Sequence, residues 1–162
     1  MLTAIPELVP FPNWLGQSTL VSNRNEVSVR ITAVSLYDRA RNQGWHESIR
    51  SRLSGSPLHL LKPAPTPGCG HDAGLQTVSI WQIRGSENRC SDFDAKFHPL
   101  QSRTRDRWVN IAAARLMGAM LPPVELIQVG DIYYVRDGHH RISVARAIGE
   151  EYIEGHITIW AK

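Results

Sequence analysis

Cysteine, lysine and long apolar runs are all scarce in this sequence. Its two cysteines, Cys69 and Cys90, are too few for a disulfide framework; they fit a reducing compartment and leave room for one bridge at most. No stretch approaches the roughly 18 consecutive apolar residues that span a bilayer, so no membrane partner is expected. Residues 1–12 lack a basic leader segment and carry Pro6, Pro10 and Pro12, which disfavours secretion and points to a cytoplasmic location. Aromatic residues make up only 7% of the chain, and Trp14, Trp45, Trp81, Trp108 and Trp160 are too dispersed for a base-stacking platform, so they read as core. Of the 18 basic residues only Lys62, Lys96 and Lys162 are lysine. The planar fork of arginine suits phosphate and carboxylate, although a codon bias in the source genome gives the same excess.

What remains is a chain of 162 residues, 42% hydrophobic and 20% charged, enough for one domain with an appended arm. A net charge of +3 suits a phosphate-bearing partner but is too mild for a protein that coats nucleic acid. Residues 1–26, rich in proline, read as an extended arm packing through Trp14 and Leu15. Apolar spacing predicts a helix from about Thr32 to Gln43, broken at Gly44, and a second amphipathic stretch from Trp45 to Leu53. Ser54 to Gly74 is dense in proline and glycine and reads as a linker without helix or sheet. The expected division is therefore 1–74, a helical arm and linker, and 75–162, the folded domain.

Within that domain, strands are expected at 75–84, 124–129, 132–136 and 152–160, and helices at 104–117 and 139–148, with a polar loop over 86–102. The fold class is α/β (α+β), a small mixed sheet with flanking helices. The strand ending at Arg136 runs through Asp137-Gly138 into a helix, and a helix start placed directly after a strand is an anion site. Its first N–H groups lack helical partners, the helix dipole is positive there, and glycine lets a ligand approach the backbone. Arg141 in the first turn adds a forked donor, His139 and His140 add hydrogen bonds or proton transfer, and Asp137 can cap the helix or touch a metal. The same residues also make a plain strand-to-helix turn with two surface histidines.

The segments Pro122-Pro123-Val124-Glu125-Leu126 and Tyr133-Tyr134-Val135-Arg136-Asp137-Gly138-His139-His140-Arg141-Ile142-Ser143-Val144-Ala145, followed by Gly149, resemble the core of the ParB/sulfiredoxin-like superfamily. The resemblance spans about 104–160. It implies a ParB/sulfiredoxin-like fold that holds nucleotide phosphates on Gly138, His139, His140 and Arg141. Its members include CTP-binding partition proteins, ATP-using sulfiredoxins and ADP-dependent free serine kinases, so the implied cofactor is ATP, ADP or CTP with Mg²⁺. Sulfiredoxins carry a nucleophilic cysteine where this chain has His139, and partition proteins read G-E-R-R where it has Gly138-His139-His140-Arg141. The serine kinase pattern D-G-H-[TH]-R is nearest, although no catalytic glutamate is carried over from it. If the chain transfers a phosphoryl group or hydrolyses a nucleotide, His140 is the expected proton-transfer group and Asp137 the contact to a metal or substrate hydroxyl.

An alternative reading is a non-catalytic, DNA-associated regulatory adaptor on the same fold, and a third is a metal-dependent nuclease, for which the motif offers only Asp137. The helical arm over 32–53 is expected either to pack against the folded domain or to mediate association, a homodimer being the candidate assembly. Arg103, Arg105 and Arg107, with Arg84 and Arg89 near them in sequence, read either as a phosphate-contacting edge or as a solvated helix start paired with Asp92, Asp94 and Asp106. Cys69, His71, Cys90 and His98 have the wrong spacing for a zinc knuckle, and the lone Asp92-Phe93-Asp94 is a weak Mg²⁺ pattern.

Overall fold

The computed structural model describes residues 15–55, 60–65 and 70–160. Among these residues the chain forms a mixed α/β fold: a six-stranded sheet with three α-helices. The strands are β1 (Lys62–Pro63), β2 (Gly70–Ser79), β3 (Ile83–Ser86), β4 (Val124–Val129), β5 (Ile132–Asp137) and β6 (Tyr152–Trp160), and the helices α1 (Leu15–Ser54), α2 (Arg105–Leu116) and α3 (His139–Ala147). The sheet runs β1-β3-β5-β4-β6-β2. β4 and β5 form the expected antiparallel hairpin around Gly130-Asp131, while β3 lies parallel to β5 and β6 parallel to β4.

The apolar pattern explains the layers. One core gathers Leu126, Tyr133, Val135 and Ile157 from the sheet, Phe93 and Phe97 from the long loop, and Ile142 and Ala145 from α3. A second gathers Ala33, Tyr37 and Ala40 of α1, Trp108, Val109 and Ala112 of α2, and Val144 of α3. Thus α3 is buried on both sides, toward the sheet and toward the helical layer. The two cores are stitched by a buried relay: Trp108 Nε1 donates to Ser143 Oγ at 2.8 Å, and Ser143 donates to the Phe97 carbonyl at 2.7 Å. Both polar groups are thereby satisfied inside an apolar interior.

Several expectations from the sequence need correction. Gly44 does not break the first helix; α1 continues through it. A Cβ at Gly44 would stand 3.0 Å from His98 Cβ, so the small residue lets α1 cross close over the 94–98 turn. The extended arm expected up to residue 26 is helical from Leu15 onward, while residues 1–14, Trp14 included, lie outside the described residues. The proline- and glycine-rich stretch is not wholly free of sheet, since β1 and the first part of β2 arise within it. The strand expected at 75–84 is β2 at 70–79, followed by a one-turn 3-10 helix over Ile80–Gln82 before β3 begins. β2 is an edge strand zipped antiparallel to β6 from Gly70↔Trp160 to Ser79↔Tyr152, and an edge tolerates the glycines and the bulge near Gly74 that a central strand would not. Among the described residues no helix is long and apolar enough to cross a membrane.

Candidate functional site

Gly138 is the hinge of the site. Its φ of 97° lies in the left-handed region, and it turns the chain from β5 directly into α3. A Cβ there would fall 2.5 Å from Val124 Cγ1, so glycine is required both for conformation and for space. The first bond inside α3 runs from Ile142 N–H to the Gly138 carbonyl, which leaves the N–H groups of His139, His140 and Arg141 without helical partners, and no side chain caps the end. Asp137 is therefore not the cap that the sequence suggested. Its carboxylate accepts instead from Arg141 Nη2 at 2.6 Å.

His139 and His140 are not surface residues; they are 3% and 5% exposed and pack against the buried ring of Phe93, one stacked and one edge-on. Ser86 at the end of β3 lies 2.7 Å from His139 Nε2 and also accepts from the backbone N–H groups of Asn88 and Arg89. With both hydroxyl lone pairs filled, Ser86 donates its proton, and His139 is the neutral tautomer with Nε2 as acceptor. Burial, with the charges of Arg89 and His140 behind it, pulls the pKa of His139 down to about 4. Burial and then Arg107 and Arg89 pull His140 to about 4 as well. Both imidazoles are thus neutral at pH 7, and His140 acts there as a hydrogen-bonding group or a weak base rather than an acid. Its Nε2 is buried with no partner among the described residues.

That histidine lines a cavity of about 20 Å³, room for about one water-sized group, together with Gly138, Arg89 and Arg107. The cavity adjoins an open groove of about 780 Å³ along α2 and the Leu121-Pro122 stretch, and the two share Arg107, Ile111, Asp137 and Arg141. The structure thus brings Asp137, Gly138, His139, His140 and Arg141 together at one helix start. Arg141 carries a structural duty that the sequence did not reveal: its Nη1 donates to the carbonyls of Pro122 and Pro123 at 2.6 and 2.8 Å, clamping the approach to β4 onto α3. Because a lysine cannot reproduce this fork, Arg141→Lys is expected to lower stability by about 1–3 kcal/mol, read as a fall in the urea midpoint.

The arginines after residue 100 divide their tasks. Arg103 joins Arg89 on the buried carboxylate of Asp92, and Arg105 lies over the Tyr37 ring. Only Arg107 of this trio reaches the cavity, where it makes no ion pair among the described residues. Asp94 accepts from the backbone N–H groups of Lys96 and His98 and pairs with His98 Nδ1. Asp92 and Asp94 are therefore committed to the loop and do not form a Mg²⁺ site. Among the described residues no three His, Cys, Asp or Glu side chains stand close enough to hold a metal; Cys69 lies outside them, and Cys90 is a free thiol. Ser86 is the site residue that the sequence did not single out, whereas Arg89 and Arg107 belong to the arginine group read there as a candidate phosphate-contacting edge.

No family model and no curated protein matches the chain. Among solved structures, sulfiredoxin from Arabidopsis thaliana is similar over 51% of this chain and 82% of its own length, with 21% identity and a TM-score of 0.35.

Proposed function

We propose that the protein is a ParB/sulfiredoxin-like domain that binds a nucleoside di- or triphosphate at the start of α3. The observation that carries this reading is the small cavity in which the His140 ring, the uncapped end of α3 and the guanidinium of Arg107, which makes no ion pair among the described residues, meet. All three favour an anion with several oxygens. The terminal phosphate sits at the mouth of the cavity with one oxygen inside it toward the N–H groups of His139 to Arg141, Arg107 and Arg89 neutralise it, and the nucleoside body follows the adjoining groove past Ile111 and Leu121. These donors fit a phosphate chain. Mg²⁺ would be held chiefly by the phosphates, since Asp137 is the one carboxylate among the lining residues and is already bound to Arg141. Any phosphoryl transfer draws on His140 to hold or accept a proton at Nε2 and on Asp137 to meet an acceptor hydroxyl.

The test is calorimetric titration of the full chain and its Arg107→Glu variant with ATP, ADP, CTP and GTP, each with and without Mg²⁺, beside a short DNA duplex. One nucleotide is expected to bind, stabilising the fold by about 2.7 kcal/mol at 100 times its dissociation constant. Arg107→Glu is expected to weaken that binding about tenfold or more. Its unliganded stability should stay within about 0.5 kcal/mol, because the side chain is exposed. Silence from every nucleotide, or affinity untouched by the charge reversal, overturns the reading. Duplex binding that falls steeply with salt would favour the DNA-associated adaptor instead.

A further inference from the structure

A second cavity, of about 310 Å³, opens over the C-terminal half of α3, where it faces α1 and the turn at Ile80–Gln82. It shares no lining residue with the cavity and groove at Gly138. One side is apolar: Leu36, Phe97 and Trp81, whose indole is 59% exposed. The other is cationic: Arg39, Lys96 and Arg146, with no carboxylate in the lining. Lys96 is neutralised by Glu47, and His98 on the same wall is held by Asp94. Arg39 makes no ion pair among the described residues. Arg146 is anchored only by carbonyls, through Nη2 to Ile80 and Ile83 at 2.8 and 3.1 Å, and its Nε is buried with no partner.

The guanidinium of Arg146 lies 5.2 Å from the Trp81 ring centroid and 4.8 Å from that of Phe97. A cation held between two rings with no direct ion pair among the described residues, its nearest favourable charge being Asp94, which is committed to the 94–98 turn, is short of negative charge. Burial, and then the neighbouring charge of Arg84, press its pKa down to about 10 against the smaller opposing pull of Asp94. A small pocket of this volume with an exposed indole and two unpaired guanidinium groups is built for a ligand that is flat and apolar at one end and anionic at the other.

We propose that this cavity binds a small planar acid, an aromatic ring bearing a carboxylate or a phosphate monoester, with the acid group at Arg39 and Arg146 and the ring against Trp81. The site is separate from the nucleotide site at α3's start and does not depend on it.

The full chain should be titrated with 2-naphthoate, phenyl phosphate and, as a ring-free arm, inorganic phosphate, reading heat and tryptophan emission. The two aromatic arms distinguish carboxylate from phosphate. At least one is expected to bind about tenfold or more tightly than inorganic phosphate, and Trp81→Ala and Arg39→Glu are each expected to weaken it about tenfold or more. Both positions are exposed, so the fold should be unchanged by circular dichroism, and Arg107→Glu should leave this binding as it was. No binding by either aromatic acid overturns the proposal. So does inorganic phosphate binding as tightly as the aromatic acids, or an affinity that responds to Arg107→Glu and not to Arg39→Glu.

Discussion

Gly138→Ala is expected to cost about 2–5 kcal/mol and to lower the urea midpoint by about 1–2 M. Two penalties add. A φ of 97° is strained for any residue with a Cβ, about 1–2 kcal/mol, and the added carbon would stand 2.5 and 2.9 Å from Val124 Cγ1 and Cβ, an overpacking of about 1–3 kcal/mol. Val124 is fully buried at the start of β4 and cannot step aside without disturbing its register with β6. Against a typical total stability of about 5–15 kcal/mol, such a loss leaves little margin. Gly149→Ala separates the two penalties. Its φ is also positive, 84°, but nothing lies within 4 Å of the added Cβ, so only the backbone part, about 1–2 kcal/mol, is expected. Equal midpoints for the two variants would mean that Val124 yields freely and that space is not what requires glycine at the turn.

This pairing of conformation and space was half visible in the sequence. Asp137-Gly138 between an apolar strand and a helical stripe announces a left-handed turn, and β4 and β6 fall at 124–129 and 152–160 as their alternation and flanking glycines and prolines imply. The demand made by Val124 comes from the tertiary fold and leaves no local mark. Gly44 shows the same limit from the other side: a glycine inside a helical pattern reads as a break, whereas here it is the contact point where α1 passes His98 and Leu100. The loop over 86–102 looked merely polar, yet Phe93 and Phe97 are fully buried and Asp92 and Asp94 nearly so, because their carboxylates satisfy arginines and turn amides within the loop. Of the candidate site, the motif residues were legible as a cluster because they are consecutive. Ser86 was not, and Arg89 and Arg107 were legible only as members of an arginine group, since all three reach the start of α3 only through the parallel pairing of β3 with β5 and the packing of α2 on α3.

Acid should unfold this protein earlier than its carboxylates alone require. His139 and His140 titrate at about 4 in the folded chain against 6.5 when unperturbed, with desolvation the leading cause for both. The unfolded chain therefore binds more protons between those values, and stability rises with pH across that window. The contribution is fully present above about pH 6.5, is lost as pH falls from 6.5 toward 4, and is gone below that. Each shift is worth about 3 kcal/mol at most by the usual conversion, and the two are not independent, because adjacent imidazolium charges repel. Urea midpoints measured from pH 7 to 4.5 should fall by the equivalent of several kcal/mol, and a His139→Gln, His140→Gln double variant, whatever its stability at pH 7, should show a much flatter profile. An equally steep profile in the double variant would assign the acid sensitivity elsewhere.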